Sequence, residues 1–174
     1  KKINTHFLNE FTRYYEMAVE HCRAREYEEA ISSFTKCMKI RDYLVRDTAE
    51  NNNIVDLSDE RIIKILIGRG ICYFSTGQYL AAAGDFAHVV CIDRQHGNAS
   101  RYLDKTIEYL QEDIKNLVKL GRERGFLTYD DVNEMLPSDI ITSDEIDSII
   151  LMIGAKNIDV IDTDKGERII LKRT

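Results

Sequence analysis

Apolar residues recur at helical spacing along most of the chain and give way to short β-branched runs only near its end. Between residues 98 and 120, Leu103, Ile107, Leu110, Ile114 and Leu117 follow the i, i+3/i+4 rule, which predicts one long helix. Two earlier stretches align with each other: YYEMAVEHCRAREYEEAISSFTKCMKI (14–40) and LIGRGICYFSTGQYLAAAGDFAHVVCI (66–92). Their pairing sets Tyr27 on Tyr79, Ala30 on Ala82, Phe34 on Phe86 and Cys37 on Val89. In the preceding helices Tyr14 matches Leu66, Ala18 matches Gly70 and His21 matches Tyr73. Each stretch reads as helix–turn–helix. Small residues at Ala18, Gly70, Ala30 and Ala82 let helices approach closely, while Phe34 and Phe86 fill the space against the next element. Gly77 allows the tight reversal of the second pair.

The offset between the two stretches is 52 residues. The excess is read as an extension of the second helix through RDYLVRD, then a polar loop TAENNNIVDLSD, with Ser58 or Asp59 capping the next helix. Beyond Gly121 the pattern changes. GRERG ends the long helix with Gly125 as C-cap, and Thr128 caps a short helix YDDVNEML with Asp131 in a capping-box position. Pro137 stops that helix. Ser143 starts another, DEIDSIILMIGAK, with Asp144, Glu145 and Asp147 at its positive end. NIDVI and ERIILK, separated by DTDKG, predict a small C-terminal hairpin.

Composition narrows the class. One proline and nine glycines in 174 residues favour long helices over an all-β fold. Lys64 and Arg69 interrupt the most apolar segment, so no membrane-inserting helix is expected within this fragment. The opening KKINTHF lacks an initiating Met, as expected of a piece of a longer protein. Cys22, Cys37, Cys72 and Cys91 fall within helical patterns, which suits small buried hydrophobes in a reducing compartment. Charge is uneven: residues 1–125 carry 19 acidic and 19 basic side chains, whereas residues 126–164 carry ten acidic ones against Lys156 alone. Such a block repels nucleic acid and suits a basic protein surface.

The paired stretches, at about residues 12–45 and 62–95, resemble tetratricopeptide repeats, with the helix over 98–120 as a cap. That family's repeat is about 34 residues, so about 18 are inserted here. Asp42 and Arg94 stand where a proline usually closes the repeat. The resemblance implies a groove lined by the first helix of each pair: Thr12, Tyr15, Val19, Cys22 and Arg23, then Lys64, Ile67, Ile71, Phe74 and Ser75. A face this apolar suits an apolar or helical segment of a partner protein.

Residues 114–162 resemble region 1.1 of primary bacterial sigma factors. The resemblance is carried by Gly121, Gly125, Phe126, Leu127, Thr128, Tyr129, Val132, Asn133, Leu136, Pro137, Asp144, Ile146, Ile149, Ile150 and Ile158. It implies a compact acidic helical domain, which in sigma factors occupies the basic DNA channel of RNA polymerase before promoter DNA enters. The acidic face carried over is Asp130, Asp131, Glu134, Asp139, Asp144, Glu145 and Asp147. No sigma core follows in this sequence.

The expected architecture is therefore mainly α: a tetratricopeptide-like stack over 1–112, then a sigma-region-like acidic domain with a C-terminal hairpin over 113–174. His21-Cys22 and His88-x-x-Cys91 do not complete a four-ligand metal set, and GRGICYFSTG lacks the Gly-Lys-Ser/Thr of a phosphate loop. No nucleophile–base–orienter set emerges, so a non-enzyme without cofactor is expected. The reading is a bacterial cytoplasmic adaptor binding protein partners, without direct nucleic-acid binding. The acidic module either takes a second partner, with RNA polymerase as one version, or braces the stack. The alternative is an assembly factor of a large machine such as the flagellar motor or a secretion apparatus, at the inner face of a membrane-associated complex.

Overall fold

A computed structural model describes residues 2–51, 58–136, 142–162 and 167–169 of the chain. It is mainly α-helical, as the periodicity predicts, and divides into two compact units, Lys1–Gly77 and Gln78–Thr174.

The first unit holds α1 (Lys2–Ala24), α2 (Tyr27–Asn51) and α3 (Asp59–Ser75). Helices α1 and α2 form an antiparallel pair joined by a two-residue turn. Arg25 takes a left-handed conformation there (φ 62°), and the Glu26 amide donates to the His21 carbonyl at 2.9 Å. Arg25 is the repeat equivalent of Gly77, which is also left-handed (φ 77°), so one turn geometry is made by two different residues. The core joins Phe11, Ala18, Ala30, Ile31, Phe34, Cys37, Ile65 and Cys72. Phe34 lies against α3 where Gly68 leaves room: a Cβ at Gly68 would stand 2.7 Å from the tip of the ring. Phe34 thus packs on the next element, as expected, and Gly70, expected to admit the second helix of its own pair, is buried. Helix α2 runs to Asn51, beyond RDYLVRD and into the stretch expected to be loop. The rest of that loop, residues 52–57, lies outside the described residues. Ser58 occupies the N-cap of α3, but its side chain makes no capping bond; Asp59 and Glu60 instead place negative charge in the first turn.

The second unit comprises α4 (Tyr79–Ile92), α5 (Gly97–Ile107), α6 (Glu112–Arg124), β1 (Phe126–Thr128), α7 (Tyr129–Met135), α8 (Ser143–Ala155), β2 (Asp159–Asp162) and β3 (Glu167–Ile169). Helix α4 is buried nearly all round, from Ala82 through Ala87, and packs on both α5 and α8. That packing explains why the units divide between Gly77 and Gln78, inside the second helix pair; the 112/113 boundary implied by the two resemblances falls in the first turn of α6. The apolar side of α8 covers α4. The two helices touch at Gly84, where a Cβ would lie 2.5 Å from Ser148 Oγ and 3.3 Å from Ser148 Cα. Phe86 is buried and faces Tyr102 of α5, with ring centroids 5.3 Å apart.

The single helix expected over 98–120 is two. After α5 the chain tightens, the Tyr109 amide donating to Thr106 O and the Leu110 amide to Ile107 O, and Gln111 is extended (ψ 149°) before α6 begins. Leu110 stays buried through this break, and Tyr109 stacks on Tyr79 at 4.9 Å. The apolar periodicity therefore runs on unbroken in sequence although the helix does not.

Helix α6 ends where expected, at Gly125 in the left-handed conformation (φ 81°), whose amide donates to Gly121 O at 2.7 Å. FLT then forms β1, parallel to β2 with Leu127 opposite Val160, and β2 pairs antiparallel with β3 with Val160 opposite Ile169. The expected hairpin is thus present as two strands of a three-stranded sheet. Gly121 is the contact between α6 and this sheet: a Cβ there would meet Ile158 at 2.7 Å and Leu127 at 3.1 Å. The stop assigned to Pro137 lies outside the described residues.

Candidate functional site

Two surfaces carry the sequence-derived candidates, one in each unit. In the second unit Thr128 caps α7 with a complete capping box. Its Oγ1 accepts the Asp131 amide at 3.0 Å, and Asp131 Oδ2 accepts the Thr128 amide at 2.8 Å. Arg124 also reaches Asp131 at 3.3 Å. The Asp131 carboxyl is held below its ordinary range, chiefly by the Thr128 amide bond and to a smaller extent by Arg124. A depressed carboxyl contributes stability above its unfolded value near pH 3.9 and loses that contribution as pH falls through the folded value. Thr128→Ala is expected to destabilise the second unit by about 1 kcal/mol at neutral pH, read as a lower urea midpoint at unchanged slope. An unchanged midpoint would remove the cap from the account.

Helix α8 repeats the device. Thr142 at its N-cap accepts the Glu145 amide, and Glu145 Oε2 accepts the Thr142 amide at 2.8 Å. Helix α8 begins at Ser143, as expected, and its cap is Thr142, which T-x-x-E, the capping-box signature, marks in the sequence. Asp131 and Glu145, both counted in the acidic face, are thus occupied in holding helix starts together. Asp139 lies outside the described residues.

Four carboxylates remain turned to solvent: Asp130 and Glu134 on α7, Asp144 and Asp147 on α8. Each pair is spaced one helical turn apart, so like charges sit side by side at some cost to the helix. Several cations of this unit, among the described residues, are paired with other groups. Arg124 reaches Asp131, while Arg122 (3.9 Å) and Lys156 both turn to Asp104. Arg94 donates to Gly154 O and to Asn157 Oδ1, each at 3.0 Å. The link from Asp104 to Lys156 joins residues 52 apart and left no sequence signal.

In the first unit the proposed groove residues lie on α1 and α3, which pack against each other. Thr12, Arg23, Lys64, Ile71 and Ser75 are exposed, whereas Val19, Ile67 and Phe74 are half-buried. Tyr15 and Cys22 pack onto the unit's core, Tyr15 meeting the Phe34 ring edge-on at 6.4 Å. Thr12 and Ser75 spend their hydroxyls on the backbone carbonyls of Leu8 and Ile71. Lys64 bonds Glu60 at 2.7 Å, which raises its pKa; Tyr15 lies near enough to add a smaller contribution. Across the two helices the structure brings together Tyr15 with Lys64, and Cys22 with Cys72 at 3.2 Å. Ile71 is the large apolar side chain most open to solvent on α3, at 42 % exposure.

The His and Cys residues weighed as metal ligands have other partners. His21 Nδ1 bonds Glu26 at 2.6 Å, and the Cys91 thiol points to Leu151 O at 3.9 Å. Cys37 donates to Phe11 O at 3.5 Å, and burial pushes its pKa up to about 12. Among the described residues no helix is long and apolar enough to cross a membrane.

Comparison with known proteins bears on the second unit. Residues 108–173 match the family model "Sigma-70 factor, region 1.1". The C-terminal segment is a sigma-factor-like region. The chain is 40 % identical over 55 residues to the RNA polymerase sigma factor RpoD of Neisseria gonorrhoeae; the match takes in 32 % of this chain and 9 % of that relative. The chain thus spans a small fraction of the length of that curated relative. No solved structure matches. Thr128, Asp131 and Gly125, whose capping roles are described above, all fall inside the matched segment.

Proposed function

We propose that the chain is a non-enzymatic bacterial adaptor whose sigma-like segment docks on a basic surface of RNA polymerase in the cytoplasm. One observation carries this reading. The segment that matches region 1.1 presents Asp130, Glu134, Asp144 and Asp147 to solvent, while its cations Arg122, Arg124 and Lys156 pair with Asp104 and Asp131. An acidic surface of this kind accelerates and orients encounter with a basic partner and repels nucleic acid. The first unit supplies the second binding face. We read α1 and α2 as a tetratricopeptide-like pair, supported by the burial of Ala18, Ala30, Phe34 and Cys37 at the aligned positions. The face carrying Val19, Ile67, Ile71 and Phe74 takes an apolar helical segment of another protein.

Purification of the full-length protein from its native cells at low salt, followed by a salt wash, tests the reading. Polymerase subunits are expected at low salt and are expected to be released as ionic strength rises. Recovery of components of another large assembly without polymerase would overturn it.

A further inference from the structure

The first unit contains a pair of thiols in contact at its core. Cys22, near the C-terminal end of α1, and Cys72, near that of α3, lie 50 residues apart in sequence with their sulfurs 3.2 Å apart. Both are free thiols; Cys22 is half-buried and Cys72 is buried. A disulfide needs its sulfurs at about 2.05 Å, so the pair must close by about 1 Å. Cys37 and Cys91 differ, since each thiol points at a backbone carbonyl, of Phe11 and Leu151 respectively.

We propose that Cys22 and Cys72 form a redox modification site, at which hydrogen peroxide converts the two thiols to a disulfide tying α1 to α3. The partly accessible Cys22 reacts first. Its sulfur attacks one peroxide oxygen, the O–O bond breaks, and the departing oxygen takes up a proton to leave as water, giving a sulfenic acid on Cys22. The Cys72 sulfur then attacks the Cys22 sulfur, the S–O bond breaks, and hydroxide leaves as water with the Cys72 proton. Two thiols are oxidised by two electrons and one peroxide is reduced to two waters. Burial, and contact with Cys22, push the Cys72 pKa up to about 12. Cys72 therefore stays a thiol, shielded from solvent oxidant, until the neighbouring sulfur becomes electrophilic. In a reducing cytoplasm such a bond is transient and serves as a sensor rather than a permanent brace. The covalent tie joins helices already in contact and closes a long loop, so the oxidised unit resists unfolding more than the reduced one. The inference does not depend on which partner the groove or the acidic segment takes.

The test is peptide mapping of the intact chain after hydrogen peroxide treatment, under non-reducing conditions, with thermal unfolding read in parallel. A single Cys22–Cys72 link is expected, lighter by two hydrogens, reversed by dithiothreitol, and accompanied by an unfolding midpoint higher by roughly 5 °C or more for the first unit. Cys91→Ser should leave the link intact. Cys22→Ser, at a half-buried position, should abolish it and leave Cys72 reduced. Oxidation of Cys22 to a sulfinic acid with Cys72 still a thiol would overturn the proposal. So would a majority of Cys22-linked dimers, or all four thiols remaining open to alkylation after unfolding.

Discussion

Gly84→Leu is expected to lower the stability of the second unit by about 3 kcal/mol, the upper part of the range for overpacking. In isolation the substitution favours a helix, because glycine is the poorer helix former by nearly 1 kcal/mol, so a net loss must come from packing. The cause is the closeness of α4 and α8. A Cβ at Gly84 would stand 2.5 Å from Ser148 Oγ, which can rotate away, but also 3.3 Å from Ser148 Cα, which cannot. A leucine pushes the helices apart and exposes the apolar faces that hold α4 in this unit. The smaller change Gly84→Ala should be partly rescued by Ser148→Gly, and a double-mutant cycle would show that coupling. Thermal unfolding of the second unit measures the effect; an unchanged midpoint would separate α4 from α8.

Phe34→Ala is expected to cost the first unit about 3–5 kcal/mol, a large share of the stability of a domain this size. The ring is 2 % exposed, stands over Gly68 of α3, and meets Tyr15 of α1 edge-on. All three helices of the unit therefore converge on it. Hydrogen exchange should show amides of α1, α2 and α3 losing protection together. Loss confined to α2 would mean that the ring does not join the three.

The helices were legible because their apolar positions keep a helical period, and the cap at Gly125 and the capping box at Thr128 because those residue types have few other uses at such positions. The break between α5 and α6 was not, since Leu110 remains buried and no glycine or proline marks the turn. The division between Gly77 and Gln78 was hidden for a related reason. The YLAAAGDF motif that pairs Ala82 with Ala30 also gives α4 a surface small enough to accept α8, and repeat alignment cannot choose between neighbours. Strand β1 escaped notice because FLT is three residues long and gains its pairing only from β2, over thirty positions later. At the acidic surface the sequence supplied the right residues but not their roles. Asp131 and Glu145 face back into their own capping boxes, which leaves Asp130, Glu134, Asp144 and Asp147 as the solvent-facing charge.

The adaptor account rests on those four carboxylates meeting a basic polymerase surface. The most direct measurement is the affinity of the purified full-length protein for core RNA polymerase, compared with a variant carrying Asp130→Asn, Glu134→Gln, Asp144→Asn and Asp147→Asn. None of the four makes a capping hydrogen bond or enters the core, and loss of first-turn charge at Asp130 and Asp144 is offset by relief of like-charge neighbours, so the variant should fold. Its binding should weaken by roughly tenfold or more at low salt, mainly through slower association, and the salt dependence should flatten. Equal affinity for the two proteins, with the same salt dependence, would contradict the account and leave the acidic residues as a solvated surface.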